Sequence, residues 1–194
     1  MSQERLVRTH CGALRASDTG MRVRLDGWVH RRRDLGGLVF IHVRDRSGIV
    51  QVVFDPEMGG LHDRASGLRP ETVIEVAGEV VRRADDQVNP DMPTGEVEIR
   101  ASSLEVLAPT DELPVQPAGS QVPSEESRLR WRYLDLRRPA MREALEFRSR
   151  VTRAVRERLH GEGFWEIETP ILTRSTPEGA RDYVVPSRIH RGSF

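Results

Sequence analysis

The prevailing spacing of apolar residues differs between the two parts of the chain, and the change falls at a run suited to neither helix nor strand. Residues 108–124 read Ala-Pro-Thr-Asp-Glu-Leu-Pro-Val-Gln-Pro-Ala-Gly-Ser-Gln-Val-Pro-Ser and hold four prolines. Proline fixes φ and removes an N–H, so this stretch is expected to be an extended, fairly stiff linker. Before it, apolar residues recur at every second position; after it, at every third or fourth. One uniform layer cannot satisfy both periods. The expected organisation is a β domain over residues 1–108, a linker or hinge over 109–124, and a second, helix-containing domain beginning within 125–194.

Residues 22–32 place Val23, Leu25, Gly27 and Val29 on one face, and residues 38–44 do the same with Val39, Ile41 and Val43. Asp34-Leu35-Gly36-Gly37 and Asp45-Arg46-Ser47-Gly48 read as turns, and a third strand follows at 49–54. Between Pro56 and Pro70 the alternation stops, and Leu61, Ala65 and Leu68 suit a short helix. Strands are expected again at 72–82 and 96–107. Five strands with one helix between the third and fourth is the order of an all-β OB-fold barrel. Beyond the linker, Pro139 suits a first helical turn. Ala144, Phe147, Val151, Val155 and Leu159 then predict an amphipathic helix over 140–160, stopping near Gly161. Residues 164–168 read as a short strand ended by Pro170.

Composition narrows the partners. Basic and acidic residues balance at 30 each, yet every basic residue is arginine, and residues 1–50 hold ten arginines against five acids. A locally basic surface allows nucleic-acid binding without requiring it. The longest apolar runs are four to six residues, well short of the ~20 that span a bilayer. Neither a membrane span nor, from the polar start, a secretory signal is expected. One cysteine, Cys11, and six histidines without ligand spacing argue against a metal site. A reducing, cytoplasmic setting fits best.

Strand parity also picks out a functional face. If Val39, Ile41 and Val43 face inward, then Phe40, His42 and Arg44 face outward. If Val50, Val52 and Phe54 face inward, Gln51 lies outward beside Phe40. An outward aromatic with Arg and Gln neighbours suits stacking of unpaired bases, and a second minor core under a loop is the alternative. Arg31-Arg32-Arg33 could clamp phosphates on the same side, or be an ordinary solvated surface.

Five strings now carry a resemblance. Gly27-Trp28-Val29-His30-Arg31-Arg32-Arg33-Asp34-Leu35-Gly36-Gly37-Leu38-Val39-Phe40-Ile41, followed by Arg44-Asp45-Arg46-Ser47-Gly48-Ile49-Val50-Gln51-Val52, resembles the anticodon-binding domain of bacterial aspartyl-tRNA synthetases. Arg132-Tyr133-Leu134-Asp135-Leu136-Arg137-Arg138 is similar to that family's entry into its catalytic domain. Gly163-Phe164-Trp165-Glu166-Ile167-Glu168-Thr169-Pro170 looks like motif 1 of class II synthetases. Thr176-Pro177-Glu178-Gly179-Ala180-Arg181-Asp182-Tyr183 looks like the aspartate-specific loop. The resemblance covers nearly the whole chain.

It implies that Phe40 stacks on the central anticodon base and that Arg33 and Gln51 contact neighbouring bases or backbone. It also implies that Pro170 belongs to a homodimer interface and that Glu178 lies on a loop closing over the ammonium end of L-aspartate. Leu35 and Asp86 fall at positions linked in the family to discrimination between tRNA-Asp and tRNA-Asn, and their signals are mixed. The implied reaction is ATP- and Mg2+-dependent activation of L-aspartate and its transfer to tRNA-Asp. Motifs 2 and 3 and any Gly-rich phosphate loop are absent from these 194 residues. The expectation is therefore an incomplete α+β class II catalytic domain, with no catalytic residue and no bound ATP or metal within this chain. A synthetase fragment inactive alone, a free-standing tRNA-binding OB module, and part of a non-discriminating enzyme that also charges tRNA-Asn remain open readings.

Overall fold

The computed structural model describes residue 6, residues 8–172, residues 183–190 and residue 192. The chain divides into two compact units, Met1–Arg142 and Glu143–Phe194. The first is built on β1 (Arg22–Leu35), β2 (Leu38–Arg44), β3 (Ile49–Phe54), β4 (Val73–Arg82) and β5 (Val97–Ala108), with α1 (Gly60–Ser66) between β3 and β4. The strands close into a barrel in the order β1-β2-β3-β5-β4, with β4 returning to pair with β1. Every pairing is antiparallel except the short β3–β5 contact, where Val52 and Val53 lie beside Ile99 and Arg100. This is the five-stranded, one-helix OB-fold expected from the alternation.

The inward positions make the core. Val39, Ile41, Val43, Val50, Val52 and Phe54 are fully buried, each contributing roughly 1.5–3 kcal/mol relative to exposure. Gly27 occupies an inward position where the chains cross closely. A Cβ there would sit 2.6 Å from the Arg44 carbonyl oxygen, so the alternation admits no side chain at that point.

β1 runs three residues past its expected end. Asp34 and Leu35 still pair with Val39 and Leu38, and Gly36 and Gly37, with φ of 63° and 85°, close a two-residue hairpin turn. Arg31 to Leu35 are all exposed, so the end of the β1–β2 hairpin is a solvated arm with no apolar alternation to mark it. The register shifts between Val29 and Arg31, leaving His30 as the extra residue of a bulge.

Residues 109–124 contain neither helix nor strand, although Val115 is buried. Two short helices follow that the apolar spacing did not suggest, α2 (Glu125–Arg130) and α3 (Arg132–Asp135). The Ser124 hydroxyl caps α2 by accepting the Ser127 N–H. Asp135, fully buried, accepts from Arg128 at 3.0 Å and Arg132 at 3.2 Å. These helices are organised by charge pairs, to which hydrophobic periodicity is blind.

The second unit holds most of α4 (Pro139–Gly161), whose limits agree with the predicted helix. Phe147, Val151, Val155 and Leu159 form an exposed stripe along it. The chain turns at Gly163, with φ of 89°, and Phe164 donates its N–H to the Leu159 carbonyl. The strand expected over 164–168 does not form, and Phe164, Trp165 and Ile167 are exposed. A strand needs a neighbour for its backbone groups, and no described residue supplies one. Among the described residues no helix is long and apolar enough to cross a membrane.

Candidate nucleic-acid interface

The outward face of β1, β2 and β3 gathers the residues singled out by parity. Phe40 is half-buried and lies opposite Arg33 on β1 and Val53 on β3. His42, two residues further along the same face, lies opposite Arg31 and Gln51. Arg31, Arg32 and Arg33 are exposed on the arm beside them. An aromatic face among guanidinium groups can stack a base, at about 1–3 kcal/mol per base, while the charges hold backbone phosphates.

Gln51 is not free at this face. Its Nε2 donates to Glu98 Oε2 at 2.8 Å, and the same oxygen lies 3.5 Å from Arg83 Nε. Arg83, almost fully buried, also donates from Nε to the Val97 carbonyl at 3.1 Å. Its Nη2 is buried without a hydrogen-bond partner among the described residues. Burial lowers the Arg83 pKa and Glu98 opposes the change. An unsatisfied buried donor of this kind costs roughly 1–3 kcal/mol. Gln51 and Glu98 thus place a donor and an acceptor beside the stacking platform, with the buried Arg83 holding Glu98 from beneath.

Glu98 and Arg83 escaped the sequence reading. Glu98 has the right parity, between inward Val97 and Ile99, but β5 reaches β3 only through a long-range parallel pairing that local spacing does not reveal. His42 also belongs to the row. Burial pushes its pKa down to about 4, so at neutral pH its uncharged ring offers one donor and one acceptor.

The structure corrects the expectation for Arg44. It shares the outward parity of Phe40 and His42 yet is buried. Its Nη2 donates to both carboxylate oxygens of Glu71, at 2.6 and 2.8 Å, and its Nη1 lies 2.9 Å from His30 Nδ1. The turn carrying Glu71 covers this end of the face, which parity cannot foresee. Arg44 also lies over Trp28, with Arg137 over the same ring at centroid distances of 5.9 and 5.1 Å. Trp28 is therefore a packing anchor.

Of the remaining expected site residues, Leu35 is 59% exposed at the tip of the arm. Asp86 is exposed in the single 3-10 turn Asp85–Gln87 between β4 and β5. Pro170 is exposed in the second unit. Glu178 lies outside the described residues. Among those described, no group of three His, Cys, Asp or Glu side chains could hold a metal ion. Cys11 is no nucleophile: burial, with Asp45 beside it, pushes its thiol up to about 12.

Comparison with known proteins bears on both parts of the chain. Residues 23–107 match the family model described as OB-fold nucleic acid binding domain, and residues 124–194 match that of tRNA synthetases class II (D, K and N). An aspartate--tRNA(Asp/Asn) ligase of Rubrobacter xylanophilus is 56% identical over 188 residues, 96% of this chain and 31% of that protein. Its namesake in Caulobacter sp. strain K31 is 55% identical with the same coverage. Among solved structures, asparaginyl-tRNA synthetase of Pyrococcus horikoshii, complexed with asparaginyl-adenylate, superposes with a TM-score of 0.78 at 29% identity. That likeness covers 89% of this chain and 38% of the archaeal one. The chain spans under a third of the length of the ligases it matches. Its OB-fold and the segment after it place it in the class II tRNA synthetase family of the D, K and N group.

Proposed function

We propose that this chain is the anticodon-reading portion of an aspartate–tRNA ligase, with tRNA-Asp as the RNA bound and tRNA-Asn as a second acceptor. The observation that carries the reading is the outward face of the barrel, where Phe40 stands among Arg33, His42 and the Gln51–Glu98 pair. Its support in sequence is the 56% identity to a ligase named for both tRNAs. In this reading Phe40 stacks on the central anticodon base and Arg31 to Arg33 hold phosphates. Gln51 and Glu98 read base edges, Arg83 supports Glu98 from beneath, and Leu35 and Asp86 flank the last anticodon base. Residues 1–108 read, 109–124 form the hinge, and 125–194 open the catalytic domain. Pro170 then belongs to a homodimer contact and Glu178 to the aspartate loop.

The whole enzyme would activate L-aspartate with ATP and Mg2+ in the cytoplasm and pass it to the tRNA 3′ end. Catalysis of that kind rests on positioning and on offsetting phosphate charge. The described residues form no cluster of His, Cys, Asp and Glu side chains that could hold the metal, and no step of the chemistry is assigned to them. Pyrophosphate exchange into ATP dependent on aspartate is expected to be absent from this chain.

The binding reading is tested by fluorescence anisotropy with labelled anticodon stem-loops of tRNA-Asp, tRNA-Asn and an unrelated tRNA. Saturable binding of the first two, at least tenfold tighter than the third, is expected. Equal affinity for all three would reduce the face to a non-specific basic surface.

A further inference from the structure

One buried carboxylate joins the RNA-reading hairpin to the segment leading out of the barrel unit. Glu71 is 4% exposed and is the one described non-glycine residue with positive φ, at 66°. A left-handed glutamate persists only where its surroundings hold it. Here its N–H donates to the Val29 carbonyl at 2.7 Å, and the Val29 N–H donates to Thr72 at 2.9 Å. The carboxylate accepts two bonds from Arg44 on β2 and one, at 2.9 Å, from Arg137 just after α3. Trp28 lies under both guanidinium groups.

The position of this knot along the hairpin gives it a use. It sits at the root of the β1–β2 arm, directly below the bulge at His30, whose ring faces Arg44 at 2.9 Å. Above the bulge the arm carries Arg31 to Arg33 and Phe40. Arg44 lies on the same strand face as Phe40, four residues away. Arg137 lies two residues before Pro139, where α4 begins. A bulge is a point of bending, and packed ion pairs with aromatic contacts have few alternative arrangements, so a shift of the arm is transmitted to Arg137.

The geometry points to Glu71 as a positioning residue that couples occupancy of the RNA face to the segment 125–138, through Arg44 on one side and Arg137 on the other. This rests on the reading of the face as an RNA site and adds a consequence of binding to it: ordering of the segment at which the catalytic portion opens. Glu71 itself is buried and touches no ligand.

Amide hydrogen exchange on the 194-residue chain, with and without the tRNA-Asp anticodon stem-loop, tests this. The stem-loop is expected to slow exchange on the arm, residues 31–42, and by about threefold or more at residues 132–138. Glu71→Gln, which keeps the shape, and Arg137→Leu, at a partly exposed position that leaves the barrel intact, should retain slowing on the arm and lose it at 132–138. Arg137→Lys should restore part of it. Slowing on the arm with none at 132–138 in the parent chain would overturn the inference, as would equal slowing at 132–138 in both variants. A stem-loop that slows exchange nowhere would instead remove the RNA reading, and this inference with it.

Discussion

Phe40 and Ile41 are chain neighbours on opposite faces of β2, and replacing each with alanine should give opposite results. Ile41 is fully buried in the barrel core. Removing three of its four side-chain carbons loses transfer free energy and leaves a cavity, at a cost of about 2–5 kcal/mol. In a unit of this size each kcal/mol moves the melting temperature by roughly 2–4 °C, so a drop of about 4–20 °C is expected. The Ile41→Ala barrel that remains folded should bind the anticodon stem-loop nearly as before. Phe40 is half-buried on the outward face, so Phe40→Ala opens no core cavity and should change stability by less than about 1 kcal/mol. It should weaken stem-loop binding by about 1–3 kcal/mol, or roughly five- to 150-fold in Kd. Thermal melts by circular dichroism and anisotropy titrations on both variants read the two axes separately. Phe40→Ala that melts as early as Ile41→Ala while binding normally would place Phe40 in a minor core and refute the stacking assignment.

Three further outcomes follow from the same geometry. Because burial depresses the His42 pKa to about 4, the unfolded chain binds the proton more tightly. Stability should fall as pH drops from about 6.5 to 4, by up to ~3 kcal/mol; urea melts of His42→Gln across that window should show a visibly shallower pH slope, and an unchanged slope would exclude His42 as the source. Glu71→Ala, which leaves the buried Arg44 without its carboxylate, should cost about 3–5 kcal/mol, whereas Glu71→Gly should be milder by about 1 kcal/mol because φ of 66° suits glycine; alanine proving the milder change would contradict the strained backbone. Replacing Arg31 and Arg32 with alanine should reduce the slope of log affinity against log salt by about 1.4, at ~0.7 per phosphate contact to a single strand, and an unaltered slope would make the triplet a solvated surface.

The barrel was legible because its strands keep one face in the core. Val39, Ile41 and Val43, alternating with Phe40 and His42, define a strand and its buried side without further information, and the same parity located Gln51. The limits are as instructive. The arm beyond Arg31 looks polar throughout because no part of it is buried, so the end of β1 expected from alternation falls three residues before the observed one. Glu98 and Arg83 join the candidate site through the closure of the barrel, a pairing between segments more than forty residues apart. Arg44 carries the outward parity but is claimed by Glu71, whose left-handed turn has no signature in an Arg-Pro-Glu-Thr string. The short helices at 125–135 depend on Asp135 and its arginines. Local periodicity reports apolar burial and is silent on buried charge.

The claim that most of the foregoing depends on is that RNA lies across the outward face of β1, β2 and β3. Two-dimensional NMR of the isotopically labelled chain, titrated with the tRNA-Asp anticodon stem-loop, tests it directly. Shifts that saturate together at Arg33, Phe40, His42, Gln51 and Glu98, with the exposed stripe of α4 unperturbed, are the predicted result. A saturable shift pattern centred on α4, or on the opposite side of the barrel around Arg24 and Glu75, would contradict it.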